Sequence, residues 1–158
     1  MNRTAAVAQG STSRILAVRI SPGKDVIETL AEVCLDNRIT AGTVDVLIGG
    51  ANSAKLIVPI TDPTSPSGVA AKEINVPHPV AFTAGQGMVC TRENGEIEIH
   101  LHVTLADDTR LYGGDLVKGS AIVTTTADAI ISRVDGVTFL RKFDPEVGFV
   151  VFHPSTNP

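Results

Sequence analysis

The spacing of apolar side chains changes period twice within the first forty residues. Arg14-Ile15-Leu16-Ala17-Val18-Arg19-Ile20 is a short β-rich run closed by Ser21-Pro22-Gly23. Proline presets φ and glycine supplies freedom there, so a strand and a turn are predicted. From Lys24 the spacing becomes three and four. Val26, Ile27, Leu30, Ala31, Cys34 and Leu35 share one side, Asp25 and Glu28 lie in the first turns, and Asp36-Asn37 ends the pattern. This is the signature of one amphipathic helix. Period two then dominates, and strands are predicted over 42–48, 54–60, 80–90, 96–105, 110–112, 121–134 with a break at Thr126-Ala127-Asp128, 138–142 and 148–153. Gly49-Gly50, Glu93-Asn94-Gly95, Ala106-Asp107-Asp108, Asp135-Gly136 and Asp144-Pro145 separate these runs with hairpin chemistry. The expected fold is therefore α/β of the α+β kind, a mostly antiparallel sheet with one main helix packed on it. Residues 61–79 carry four prolines and are expected to form a long surface loop. Residues 1–13 and 154–158 are small, polar and aperiodic, so they read as flexible tails around a single domain spanning 14–153.

Composition narrows the function classes. A chain of 158 residues, 43% hydrophobic and 19% charged, has the size and apolar content of one folded domain. No run approaches the roughly 20 apolar residues of a membrane span, and Gln, Ser and Arg interrupt the start before a secretory core can form. A soluble cytoplasmic protein with no membrane partner is expected. Thirteen basic residues against seventeen acidic ones give a net charge of −4, which offers little to a phosphate backbone, so direct DNA binding is not expected. With aromatics at 4% and no Trp, a stacking platform for single strands is poorly supplied. Cys34 and Cys90 lie in apolar surroundings without CxxC spacing and read as buried reduced thiols. No Gly-x-Ser-x-Gly, phosphate-cradling loop or Rossmann fingerprint occurs; Gly85-Gln86-Gly87 falls inside a strand pattern, where it marks a bulge or close packing.

The chemistry concentrates in 96–105. Strict alternation places Ile97, Ile99, Leu101, Val103 and Leu105 on one face, and Glu96, Glu98, His100, His102 and Thr104 on the other. Two imidazoles two positions apart stand roughly 6 to 7 Å apart along a strand, close enough to lean onto one ion. A half-exposed strand shows polar residues to water without any metal, so a third ligand is required to lift the reading above that plain account. Asp115 is the nearest candidate: it follows Tyr112-Gly113-Gly114, where paired glycines are expected to turn the backbone sharply and aim the carboxylate back. Asp107 and Asp108 compete, although their sequence context suits a hairpin turn. Glu98 and Arg110 are candidates for the surroundings of the same site. A bound ion there could polarise a carbonyl or activate water, with Glu98 or a group from a neighbouring subunit moving the proton. Whether the chain is an enzyme stays open, since no nucleophile is visible. His78 and His153 read as solvated or locally hydrogen-bonded.

Arg19-Ile20-Ser21-Pro22-Gly23-Lys24-Asp25-Val26, then Ala41-Gly42-Thr43-Val44, then His100-Leu101-His102-Val103 followed by Gly113-Gly114-Asp115-Leu116-Val117-Lys118-Gly119, resemble in order the PPC domain, the "plants and prokaryotes conserved" domain. The resemblance implies an antiparallel α/β domain and a homotrimer with clefts at or near subunit boundaries. It also implies that some prokaryotic members hold a metal, commonly zinc, on the two strand histidines and a histidine after the paired glycines. Carried onto this chain, the metal ligands become His100, His102 and Asp115, the last departing from the usual histidine. Aspartate also ligates zinc, and two histidines with a carboxylate suit other divalent ions, so the departure either changes which metal is held or abolishes the site. Plant relatives reach DNA through Arg-Gly-Arg-Pro hooks; no arginine here is followed by Gly-Arg, which places the chain with the stand-alone prokaryotic type. A small-molecule ligand at the cleft is the accompanying expectation, and the alternative is a regulatory module associated with DNA through partners. Gly95-x4-His100-x-His102-x4-Asp107-x5-Gly113 also imitates the first cupin motif, but with wrong spacing, Asp for Glu and no second histidine motif.

Overall fold

The computed structural model describes residues 5–157. Its period-two runs pair into one sheet: β1 (Ser11–Ile20), β2 (Gly42–Ala51), β3 (Ala54–Thr61), β4 (Val69–Val76), β5 (Val80–Arg92), β6 (Ile97–Ala106), β7 (Leu111–Leu116), β8 (Val123–Asp135), β9 (Val137–Asp144) and β10 (Phe149–Thr156). The strand order is β1-β8-β2-β5-β6-β7-β3-β4, and the ladder partners are antiparallel throughout this path. The sheet branches at the end of β5, where Thr91 and Arg92 run parallel to Leu140 and Arg141 of β9, itself paired with β10. Among the described residues the chain forms the expected mostly antiparallel sheet with a single helix.

Helix α1 (Val26–Asp36) crosses from β1 to β2. Asp25 caps it, accepting from the Glu28 amide at 3.0 Å, and its second oxygen accepts from the Ala121 amide at 3.1 Å. Val26, Ile27, Leu30 and Cys34 form the inner stripe, which packs on the Ile99, Leu101, Val103 and Leu105 side of β6. That packing fixes the other face of β6, with His100 and His102, outward.

Several expectations need correction. β4 lies inside the 61–79 segment expected to be loop: Val69 to Val76 pair residue for residue with Thr61 back to Ala54. The four prolines bracket this edge strand, at 63 and 66 before it and 77 and 79 after, so none removes a ladder donor within it. The break expected at Thr126-Ala127-Asp128 is absent, since β8 runs on through it with Ala127 and Asp128 paired on both sides, Asp128 opposite Arg19 and Ile48, while the β2 ladder shifts register between Ala127 and Val123. β7 extends to Leu116 instead of ending at Tyr112. The strands also reach into segments expected as tails, since β1 starts at Ser11 and β10 runs to Thr156; residues 1–4 and 158 of those tails lie outside the described residues. No helix among the described residues is long and apolar enough to cross a membrane.

Candidate metal centre

The outward face of β6 meets the outward face of β7 in register. His102 lies directly opposite Asp115, and Thr104 opposite Gly113. Gly113 and Gly114 do not turn the chain: neither has positive φ, and both are strand residues. The sharp swing expected of them is therefore wrong, and the ladder itself delivers the carboxylate to the histidines. The two glycines serve different ends. A Cβ at Gly114 would stand 2.7 Å from the Ile57 carbonyl oxygen and 3.1 Å from Leu56 Cβ, so this position is glycine because β3 passes close. A Cβ at Gly113 would meet only the Val103 oxygen, at 3.7 Å, which leaves open space beside His102.

His100 Nε2 and His102 Nε2 are 3.2 Å apart, with the rings edge to face at 72°. Asp115 Oδ2 is 3.2 Å from His100 Nδ1. One donor atom from each of the three residues can be chosen so that all lie within 4.8 Å of one another. The structure thus brings together His100, His102 and Asp115, the third ligand arriving from a different strand. His100 and Asp115 are partly covered, with side chains 20% and 31% exposed, so the cluster sits at a surface and not in the core. Beyond His102, a hollow is lined by Gln86, Thr104 and Gly113.

The other candidates fall elsewhere. Glu98, one step from His100 on the same face, is flanked by Arg92 and by Arg141, whose Nε is 3.2 Å away. The parallel pairing of Arg92 with Arg141 sets both guanidiniums beside this carboxylate and ties β5, β6 and β9 together. Sequence reasoning missed both arginines, because Arg141 arrives through the branch of the sheet, which has no local signal. Arg110 does not join the site. It lies at the β6–β7 turn, five residues or roughly 16 Å of strand from Asp115, with Cζ 5.9 Å from the Tyr112 ring centroid. Asp107 makes that turn, as its context suggested. Its carboxylate accepts from the Thr109 hydroxyl at 2.7 Å, the Thr109 amide at 2.6 Å, the Tyr112 hydroxyl at 2.8 Å and the Arg110 amide at 2.8 Å. These donors hold the Asp107 carboxyl well below the usual carboxylate range. His78 reaches the same turn, Nε2 3.6 Å from Asp107 Oδ2, and not the triad. Burial pushes both thiols, Cys34 and Cys90, up to about 12. The Gly85-Gln86-Gly87 stretch marks close packing: a Cβ at Gly87 would run into the His100 carbonyl oxygen, and one at Gly85 would stand 2.8 Å from Leu47 Cβ.

Known proteins resemble this chain in fold and in sequence. A metal-containing protein from Archaeoglobus fulgidus superposes with a TM-score of 0.80 at 22% identity, covering 94% of this chain and 99% of that one. A plant- and prokaryote-conserved (PPC) protein from Pyrococcus horikoshii gives 0.78 at 19% identity, covering 94% and 96%. A protein from Bacteroides thetaiotaomicron, named as a candidate DNA-binding protein, gives 0.69 at 18% identity, covering 90% and 96%. The curated bifunctional protein GlmU of Synechococcus is 26% identical over 141 residues, 89% of this chain, which spans only 20% of that protein's length. The open, branched sheet and its helix leave the cupin likeness at the level of one short motif. The model of the Plants and Prokaryotes Conserved (PCC) domain matches residues 7–135, a stretch that runs from β1 through β8 and carries His100, His102 and Asp115, and the chain belongs to that family.

Proposed function

We propose that the chain binds a divalent metal ion, zinc foremost, through His100, His102 and Asp115, and presents it to a small ligand. The observation that carries this is the 3.2 Å separation of the two Nε2 atoms. Two nitrogens bound at about 2.0 to 2.1 Å to one tetrahedral ion stand about 3.3 Å apart, so the pair already has the spacing that a shared ion imposes. Two like imidazole nitrogens at this distance otherwise need a proton between them, and a carboxylate beside His100 supplies the negative charge that a cation requires. The name of the Archaeoglobus protein, metal-containing, agrees with this reading.

When bound, such an ion supplies Lewis acidity toward a carbonyl or a bound water. The residues around it have separate tasks. Asp115, with Oδ2 3.2 Å from His100 Nδ1, brings the one carboxylate of the ligand set and its negative charge to the ion. Gly113 leaves space beside His102 for a small exogenous ligand such as water or azide, apart from the larger pocket on the His100 and Asp115 side. Metal analysis of purified, zinc-loaded protein tests the proposal: one ion per chain is expected for the natural sequence, with at least a tenfold loss of affinity in His100→Ala and His102→Ala. Equal zinc uptake by all three would overturn it.

The same proposal includes a homotrimer. Ile15, Val46 and Ile48 are 65%, 40% and 49% exposed and belong to the sheet half formed by β1, β8 and β2, where Ala17 and Ile130 add to the apolar surface. A second copy of the chain is a fitting cover for such a patch, and light scattering should return three times the 16.5 kDa chain mass. The DNA-associated alternative is supported by the name of the Bacteroides protein and opposed by the net charge of −4. Retention of duplex DNA at physiological salt with a steep salt slope would favour it.

A further inference from the structure

We infer that the ligand presented to this ion is a small anion, a carboxylate or a phosphate, held at its far end by Arg92 and Lys118. The inference rests on the metal-binding reading above and specifies the chemistry that the site accepts. A pocket of about 260 Å³ runs from His100 and Asp115 to Arg92, Glu98 and Lys118, over an apolar floor that includes Ile27 and Leu116. β7 pairs with β6 only from His102 onward, so β6 leaves the edge along residues 97–101 open to this pocket.

Two cations are available there. Arg92 approaches Glu98 through Nε, and its terminal nitrogens make no hydrogen bond among the described residues. Lys118 is exposed and makes no ion pair among the described residues. The acids lining the pocket are engaged: Glu98 by Arg92 and Arg141, and Glu96 by Asn94 Nδ2 at 2.9 Å. Arg141 differs from Arg92 in that its terminal nitrogen already donates to the Val150 carbonyl at 3.2 Å. Glu28 and Glu32 line the adjoining hollow, which shares Ala31, Glu96, Ile97 and Lys118 with this pocket.

Charge then decides what enters. Without an ion, the two cations of the lining, Arg92 and Lys118, face three carboxylates, Glu96, Glu98 and Asp115, so the pocket is one charge short of neutral. A divalent ion tips the pocket positive, so anion binding depends on the metal. Glu98 lies two residues from His100, about 6.6 Å along the strand, and Arg92 touches it, so the ligand has two ends: one for the ion and one for the guanidinium. Arginine suits that end because its planar fork matches carboxylate and phosphate oxygens.

The test is titration of the cobalt(II)-loaded full chain with succinate, inorganic phosphate and acetate, read by calorimetry and by the visible cobalt bands. Succinate or phosphate should bind at least tenfold more tightly than acetate. That preference should drop about tenfold in Arg92→Gln and in Lys118→Gln while cobalt uptake is unchanged, and metal-free protein should show no saturable binding. A lead for succinate assigns a carboxylate ligand, and a lead for phosphate a phosphate. Because Arg92 also contacts Glu98, Lys118→Gln decides if the arginine variant does not fold. A chain that takes up no cobalt overturns the metal reading and this inference together. A chain that takes up cobalt but binds acetate as well as the other two, or is indifferent to Lys118→Gln, overturns the inference alone.

Discussion

The fate of a single side chain depends here on which strand lies across from it. The two histidines could be read from the sequence because alternation along β6 is strict: Leu101 is fully buried, and the positions on either side must face out. Asp115 could be singled out by type and place, but not by route. Its delivery depends on the His102–Asp115 register and on the Ile57 carbonyl pressing against Gly114, a residue of β3 more than fifty positions away. Gly113 makes a sharper claim. A Cβ there meets no atom closer than the Val103 oxygen at 3.7 Å, so in Gly113→Leu stability should stay within about 1 kcal/mol while the side chain fills the hollow beside His102. Zinc uptake should survive and azide binding to the cobalt form should weaken at least fivefold; unchanged azide binding would show that this side is not open to ligands. Burial gives the cysteines a different test. With both thiols pushed up to about 12, neither Cys34 nor Cys90 should react with a disulfide reagent at pH 8 until the chain unfolds, when both should. Reaction in the folded protein would contradict their placement in the core.

Turns and caps carry the next level of consequence. Asp25 serves two elements, closing the first turn of α1 and holding the Ala121 amide just before β8, and it is only 5% exposed. Asp25→Ala removes the cap and leaves a buried amide without a partner, so a loss of about 2 to 3 kcal/mol is expected in denaturant unfolding. A loss under about 0.5 kcal/mol would mean that water replaces both contacts. The β6–β7 turn has a pH signature. Asp107 has a depressed carboxyl in the fold, so its contribution is fully present above the unfolded value near 4 and declines as the pH falls below that toward the folded one. Thermal unfolding from pH 5 to pH 2 should show an acid-side loss that is smaller in Asp107→Asn, and identical slopes would contradict it. The helix was legible from its spacing, and most strands from their alternation. β4 was not, because prolines at 63, 66, 77 and 79 punctuate its surroundings while the evidence for the strand lies in the facing residues of β3. The uninterrupted course of β8 was hidden for a similar reason: partners on both sides outweigh the local weakness of Thr126-Ala127-Asp128.

At the scale of the whole molecule, the branch at β5 joins two neighbourhoods that no local pattern connects. It brings Arg141 of β9 to Glu98 and so places a guanidinium pair beside the histidine face. Where the open β6 edge and the carboxylate-bearing β7 meet, two cations, Arg92 and Lys118, stand among three carboxylates. The family's antiparallel sheet and single helix position the site, while the site's chemistry comes from side chains on one short stretch of two strands. The most direct measurement of the central claim is an anomalous difference map, collected at the zinc edge, from crystals of the zinc-loaded protein. The account predicts one strong peak per chain, about 2.0 to 2.2 Å from a nitrogen of His100, a nitrogen of His102 and a carboxylate oxygen of Asp115. Stoichiometric zinc bound elsewhere, with no peak between these three side chains, would contradict it.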